Sequence, residues 1–223
     1  MTLGIEIRSL REQVYEHLKM MMQEGLLSPG VFLDLGALST ELGISRTPLR
    51  DALLTLEADG FVQILPRRGV LVPKLTLERI RDIYEIVGAL EAAALTSAAD
   101  CLDAEAVGRM RDINNEMKEA LDPFDLTVFY RKNVEFHAVC LDISPNQELV
   151  SMVRKHRARL YDFPPRKSIV ADWAREETRE HATLVDLLAA EEYAAASDFL
   201  RNVHWSFPVQ EAFIRRCYAR PEA

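Results

Sequence analysis

From Ser9 onward the chain alternates short amphipathic stretches with breaks marked by glycine and proline. Ser9-Leu10-Arg11-Glu12 has the form of a capping box, in which the Ser9 hydroxyl and the Glu12 carboxylate each accept from the other's backbone N–H. Leu10, Val14, Leu18 and Met21 then recur at helical spacing and predict a first helix with one apolar face. Gly25, Pro29 and Gly30 end it. Asp34 is placed to cap a short second helix with Leu35, Leu38 and Leu42 turned inward. Gly43 closes that helix in a tight turn, and Ser45 stands at the N-cap of a third. There Leu49, Leu53 and Leu56, with Ala52 alongside, form the buried side, and Gly60 stops the helix. Val62 and Ile64, then Val70 and Val72, alternate as two short strands around a Pro66-Arg67-Arg68-Gly69 tip.

Beyond Pro73 the pattern becomes almost wholly helical. Thr76 is an N-cap candidate, and Ile80, Ile83, Val87 and Leu90 share one stripe, with Ile86 and Leu95 nearby. The stretch that opens at Asp103 continues the pattern. Ser144-Pro145-Asn146-Gln147 reads as another capping box, with proline at the first helical position. "DFPPRKS" interrupts the chain near residue 164, and two further helices run to the end, about six helices in this part. The expected fold is mainly α: a winged helix-turn-helix over residues 1–75, then an all-α antiparallel helical bundle over residues 76–223.

Charge changes this picture through its distribution. The chain carries 27 Lys/Arg and 35 Asp/Glu, a net charge of −8, which by itself speaks against a nucleic-acid partner. The first 75 residues hold 8 and 9 of these, and the remainder 19 and 26. In the near-neutral part the cations gather at Arg46, Arg50, Arg67, Arg68 and Lys74, a patch sufficient to meet phosphates while the acidic remainder is repelled. Ser45, Arg46, Thr47 and Arg50 open the second helix of a helix-turn-helix, the end that enters a major groove. Arg46 and Arg50 share a face opposite Leu49 and Leu53. Arginine can grip guanine O6 and N7 in bidentate fashion, while Ser45 and Thr47 can bond phosphate oxygens. A merely solvated helix gives no reason for two like charges at i, i+4, which mildly destabilise it. Arg67 and Arg68 at the strand tip extend the patch as a basic wing.

The apolar fraction of 48% supports real cores. No window approaches ~18 uninterrupted apolar residues, so no membrane helix is expected, and the start lacks the basic and apolar blocks of a secretory signal. Cys101, Cys140 and Cys217, odd in number and far apart, fit a reducing cytoplasm and small core positions rather than a disulfide framework. Neither repeats nor a phosphate-binding glycine loop are present.

Three of the five histidines invite a metal reading. Asn133 and His137 stand at i, i+4 with Tyr130 a turn earlier, His181 follows Glu180, and His204 lies in "NVHWSF". Three helices that each present an imidazole to a bundle interior could hold a transition ion with positions left open. Ordinary core or surface histidines are the bland alternative, and His17 and His156 have no other case. Glu180 could orient an imidazole or be solvated. As the only nearby base it is also the sole support for a metal-assisted hydrolase, and no further constellation points to an enzyme.

"LREQVYEHLKMMMQEGLLSPG", "LGISRTPLRDALLTLEADGFV" and "RRGVLVP" together resemble the winged helix-turn-helix of the GntR family of bacterial transcription regulators. The resemblance assigns DNA contacts to Arg46, Thr47 and Arg50 in the helix and to Arg68 and Gly69 in the wing. Leu35 and Gly36 stand where the family places an arginine at the start of helix two. The later segments "IYEIVGALEAAAL", "NVEFH", "SPNQELVSMVRKHRARL" and "REHATLVDLLAAEEYAAASDFL", with the closing His204, resemble the FCD-type effector domain of one GntR subfamily, the FadR-like one. That resemblance implies a divalent transition metal such as Zn, Ni or Mn, held by Asn133, His137, His181 and His204. It also implies a small carboxylate effector, with Tyr130 placed to contact it, and a homodimer, as repressor, on palindromic operator DNA. Two positions depart from the pattern: Asn133 replaces an aspartate, and Val87 an arginine. A neutral Asn ligand favours an anionic effector on the metal, and the lost arginine removes a carboxylate clamp. A regulator without metal, recognising its effector by side chains alone, is the alternative.

Overall fold

The computed structural model describes residues 8–122, 125–161 and 167–218. Two compact units part between Leu75 and Thr76.

The first unit contains helices α1 (Leu10–Gln23), α2 (Leu35–Glu41) and α3 (Arg46–Asp59) and strands β1 (Gln63–Leu65) and β2 (Gly69–Leu71). The capping box forms at Ser9 and Glu12. Val14, Leu18 and Met21 are buried as expected, but Leu10, in the first turn, is 48% exposed. Asp34 caps α2 with hydrogen bonds from the Gly36 and Ala37 N–H groups at 2.9 Å each. The turn into α3 is pinned by Ser39, whose hydroxyl donates to the Ile44 carbonyl at 2.6 Å, and passes through Gly43 at φ 63°. Leu49, Ala52, Leu53 and Leu56 form the buried side of α3, which packs on α1, and Gly60 ends it in the left-handed conformation. β1 and β2 pair antiparallel with Ile64 opposite Val70. The segment around Phe32 lines the other edge of β2, with Leu33 N–H donating to Val70 and Val72 N–H to Val31.

The second unit holds α4 (Leu77–Ala98), a short 3-10 turn (Ala99–Cys101), α5 (Ala104–Glu119), α6 (Leu126–Ile143), α7 (Gln147–Tyr161), α8 (Lys167–Ala189), α9 (Tyr193–Phe199), a π segment (Leu200–His204) and α10 (Phe207–Tyr218). Thr76 caps α4 as expected, and Ile80, Ile83 and Val87 are fully buried, whereas Leu90 is only half-buried. Three expectations need correction. Ser144 does not cap α7: Asn146 does, accepting from Leu149 N–H at 3.1 Å, while Ser144 is buried against Ser97. Seven α-helices occur among the described residues instead of six, because Glu191 turns the chain at φ 59° and opens a boundary that no glycine announces. Cys101 is exposed, while Cys140 and Cys217 are buried. The break expected near residue 164 lies outside the described residues. No described helix is long and apolar enough to cross a membrane.

Candidate functional site

In the first unit Ser45, Arg46, Thr47 and Arg50 are all exposed, with the apolar side of α3 behind them. Ser9 and Asp34 spend their side chains on capping, but Ser45 makes no side-chain capping bond. Its hydroxyl is thus left uncommitted to capping at an exposed helix N-terminus, an arrangement suited to phosphate oxygens. The wing is tied to this helix by Glu57, whose carboxylate accepts from Ile64 N–H at 2.6 Å. At its tip Arg67 and Gly69 both take positive φ, 63° and 108°, and Arg67, Arg68 and Gly69 are exposed. The Arg68 guanidinium rests over the Phe32 ring at 5.9 Å, which limits the volume its charge explores.

In the second unit His137 on α6, His181 on α8 and His204 in the π segment bring one ring nitrogen each within 4.8 Å of the others, all three buried. The same face of α6 carries Asn133, fully buried one turn before His137, and half-buried Tyr130 a turn earlier, edge-on to Phe129. Val87 lies on the buried stripe of α4, where it adds apolar surface.

Two histidines are oriented by carboxylates. Glu91 Oε2 lies 2.9 Å from His137 Nδ1, and Glu180 Oε2 lies 2.8 Å from His204 Nδ1. A carboxylate only accepts, so each Nδ1 carries the proton, and in a neutral ring the Nε2 lone pair is then bare. Those two Nε2 atoms face each other at 3.2 Å. Two bare nitrogens at that distance repel unless a proton or a cation lies between them. Ligands about 2.0–2.1 Å from one ion stand about 2.8–3.4 Å apart at octahedral to tetrahedral angles, which brackets the observed spacing. His181 stacks on Phe136 at 3.9 Å between ring centres, and neither of its nitrogens has a hydrogen-bond partner among the described residues. A fully buried imidazole without a partner is costly, and a metal ion would satisfy it. The donor set and the orphaned ring thus fit a divalent transition ion.

The carboxylates are themselves anchored. Arg157 on α7 donates to Glu91 Oε1 at 2.9 Å and Trp205 to Glu91 Oε2 at 2.7 Å. Gln210 on α10 donates to Glu180 Oε1 at 2.6 Å and accepts from Trp173 at 3.1 Å. Glu177, one turn before His181, accepts a short hydrogen bond from Asn133 Nδ2. Gly88 permits the close approach of Trp205 to α4: a Cβ there would stand 2.9 Å from Trp205 Cβ.

Electrostatics follow from burial and these pairs. Burial lowers His181 well below the usual histidine range, helped by His204 and His137. For His204 burial is outweighed by the Glu180 hydrogen bond and charge, with Glu177 and Glu91 behind them, so its affinity for a proton rises. Glu91 stays ionised beside His137 and Arg157 despite burial, and burial keeps His137 neutral against the pull of Glu91. Burial, then Glu180, raises Glu177 to about 7, although His204 and the Asn133 bond oppose it. A small space of about 10 Å³, room for a water-sized occupant, is bordered by Glu91, His137, Phe136 and Cys140.

Sequence reasoning located the three histidines and Asn133 but missed Glu91, Arg157, Glu177 and Gln210. The signal was present for two of them. Glu91 falls one turn after Val87 on the apolar stripe of α4, and Arg157 one turn after Val153 on that of α7. A charge at a core position asks for a buried partner. Glu180 does orient an imidazole, that of His204, because its sequence neighbour His181 points about 100° away around the helix.

Comparison with known proteins agrees with this architecture. Residues 82–204 match the FCD domain and residues 10–72 the bacterial regulatory proteins of the gntR family. The chain belongs to the GntR family and carries an FCD domain. It is 29% identical over 153 residues to an HTH-type transcriptional regulator in an unstable DNA locus of Streptomyces ambofaciens, a stretch covering 69% of this chain and 64% of that protein. It is 26% identical over 138 residues to the HTH-type transcriptional repressor RspR of Escherichia coli (strain K12), covering 62% of this chain and 60% of that one. The matched stretch thus spans less than two thirds of either relative. Among solved structures, E. coli McbR/YncC superposes with a TM-score of 0.75 at 21% identity, over 94% of this chain and 99% of that one, a likeness of fold. The chain accordingly joins the helix-turn-helix of the gntR family to an FCD domain.

Proposed function

We propose that this regulator is a repressor that binds palindromic operator DNA as a homodimer and releases it in response to a small carboxylate sensed at a metal centre. Residues 1–75 form the DNA-binding part and residues 76–223 the effector-binding and dimerising part. Arg46 and Arg50 read base edges, Ser45 and Thr47 hold phosphates, and Arg67, Arg68 and Gly69 bring the wing to the adjacent backbone. His137, His181 and His204, with the Asn133 side-chain oxygen, hold Zn, Ni or Mn. Bound there, the ion supplies an electrophilic centre for oxygen donors. Glu91 and Glu180 fix the two imidazoles in the tautomer that turns Nε2 inward, and Phe136 holds the plane of His181. Tyr130 lies on the same face of α6 and meets the effector. Val87 supplies no guanidinium clamp for a second polar group, which favours carboxylates less polar than sugar acids.

The observation that carries the reading is the pair of Nε2 atoms at 3.2 Å, each ring turned by a carboxylate on its Nδ1, beside an imidazole with no hydrogen-bond partner among the described residues. The test is metal analysis of untagged protein beside the His181→Ala variant, followed by calorimetric titration of loaded and stripped protein with small carboxylates. About one equivalent of metal, lost in the variant, and tighter carboxylate binding by the loaded form are expected. No uptake even from excess ion overturns the metal centre, and equal affinity in both forms overturns the metal-bound effector.

A further inference from the structure

We propose that Asn133 and Glu177 form a single donor unit of the metal centre, in which Glu177 accepts from the Asn133 amide and sets its orientation. The proposal rests on the metal reading above. Asn133 stands one turn before His137 on α6, and Glu177 one turn before His181 on α8. Their hydrogen bond therefore bridges the two helices one turn from two of the histidines.

The chemistry of the pair is one-directional. The Asn133 NH₂ donates to Glu177 Oε1, and Oδ1 is then the atom of Asn133 able to serve as a donor to a cation. With both amide branches assigned, Asn133 has no freedom to flip. An aspartate at 133 would put two carboxylates at hydrogen-bonding distance, and one of them would need a proton. Asn at 133 is thus the residue that a glutamate at 177 requires. Glu177 acts through Asn133 and is a positioning residue.

Zn²⁺ affinity measured by chelator competition, with the visible spectrum of the Co²⁺ form as a second readout, tests this in the full chain. Glu177→Gln, nearly isosteric, offers an acceptor and a donor in place of the carboxylate and should weaken Zn²⁺ about 10-fold or more, as loss of an outer partner typically does, with a changed Co²⁺ spectrum. Asn133→Asp alone should lower the thermal midpoint of the metal-free protein, and Asn133→Asp with Glu177→Gln should recover both the midpoint and Zn²⁺ affinity. An unchanged affinity and spectrum in Glu177→Gln, or single effects that merely add in the double variant, would overturn the pairing. Absence of metal from the unaltered chain, with His181→Ala behaving identically, would overturn the metal centre itself.

Discussion

In the N-terminal unit the side chains proposed for DNA contact stand in water: Arg46, Arg50, Arg67 and Arg68 are exposed, with a continuous apolar face behind α3. In the C-terminal unit the polar residues of the candidate centre are inside, and Glu91, Asn133, His137, Arg157, His181 and His204 are all buried. A surface cation costs the fold little and can be removed without consequence for stability. A buried charge is tolerable only while its partners remain, so function and stability are bound together there. The contrast predicts that DNA-binding variants will fold normally, whereas variants around the histidines will report on folding and binding at once.

The strongest challenge to that contrast is Glu91→Gln, which takes the carboxylate from a buried guanidinium and from the His137 ring. Loss of a buried pair's partner costs about 3–5 kcal/mol, readable in urea unfolding, and unchanged stability would show the interior network to be as dispensable as the surface. Gly88→Ala should cost about 1–3 kcal/mol by overpacking, because the new methyl meets Trp205, and metal affinity should fall with it. Arg46→Ala should weaken operator binding by about 1–3 kcal/mol with an unchanged thermal midpoint. A lowered midpoint would break the comparison from the other side. The smallest effect concerns His156, half-buried near Arg159, Arg79 and Lys155. Burial first, then these cations, hold its proton affinity below the usual value. Its neutral form favours the folded state, so its contribution is complete above the unfolded histidine range of about 6.5 and is lost as pH falls below it. Chemical unfolding at pH 7.5 and 5.5 should therefore show a smaller acid-side loss in His156→Asn than in the unaltered chain.

The same contrast explains what the sequence made legible. In the first unit local rules suffice: Ser9 with Glu12, Asp34, Gly43 and Gly60 each satisfy or release backbone groups within a few residues of themselves. Arg46 and Arg50 were visible as polar exceptions opposite a leucine stripe. In the second unit the partners lie far apart in sequence, Glu91 with Arg157 across 66 residues and with Trp205 across 114. Spacing on one helix cannot reveal such pairs. Local rules also failed where an unusual residue did the work of a usual one. Glu191 adopts a glycine-like φ between α8 and α9, and Asn146 rather than Ser144 supplies the cap of α7.

His204 owes its position to a change of helical phase. Between Leu200 and His204 the backbone bonds to the fifth residue back, as Trp205 N–H does to the Leu200 carbonyl at 2.8 Å, so this stretch holds one residue more than an α-helical turn would. The centre is therefore addressed by a count along the chain as well as by side-chain identity. Were these five residues to rewind to 3.6 per turn with none removed, His204 would swing by roughly a quarter turn, away from His137, with all three histidines still in the sequence.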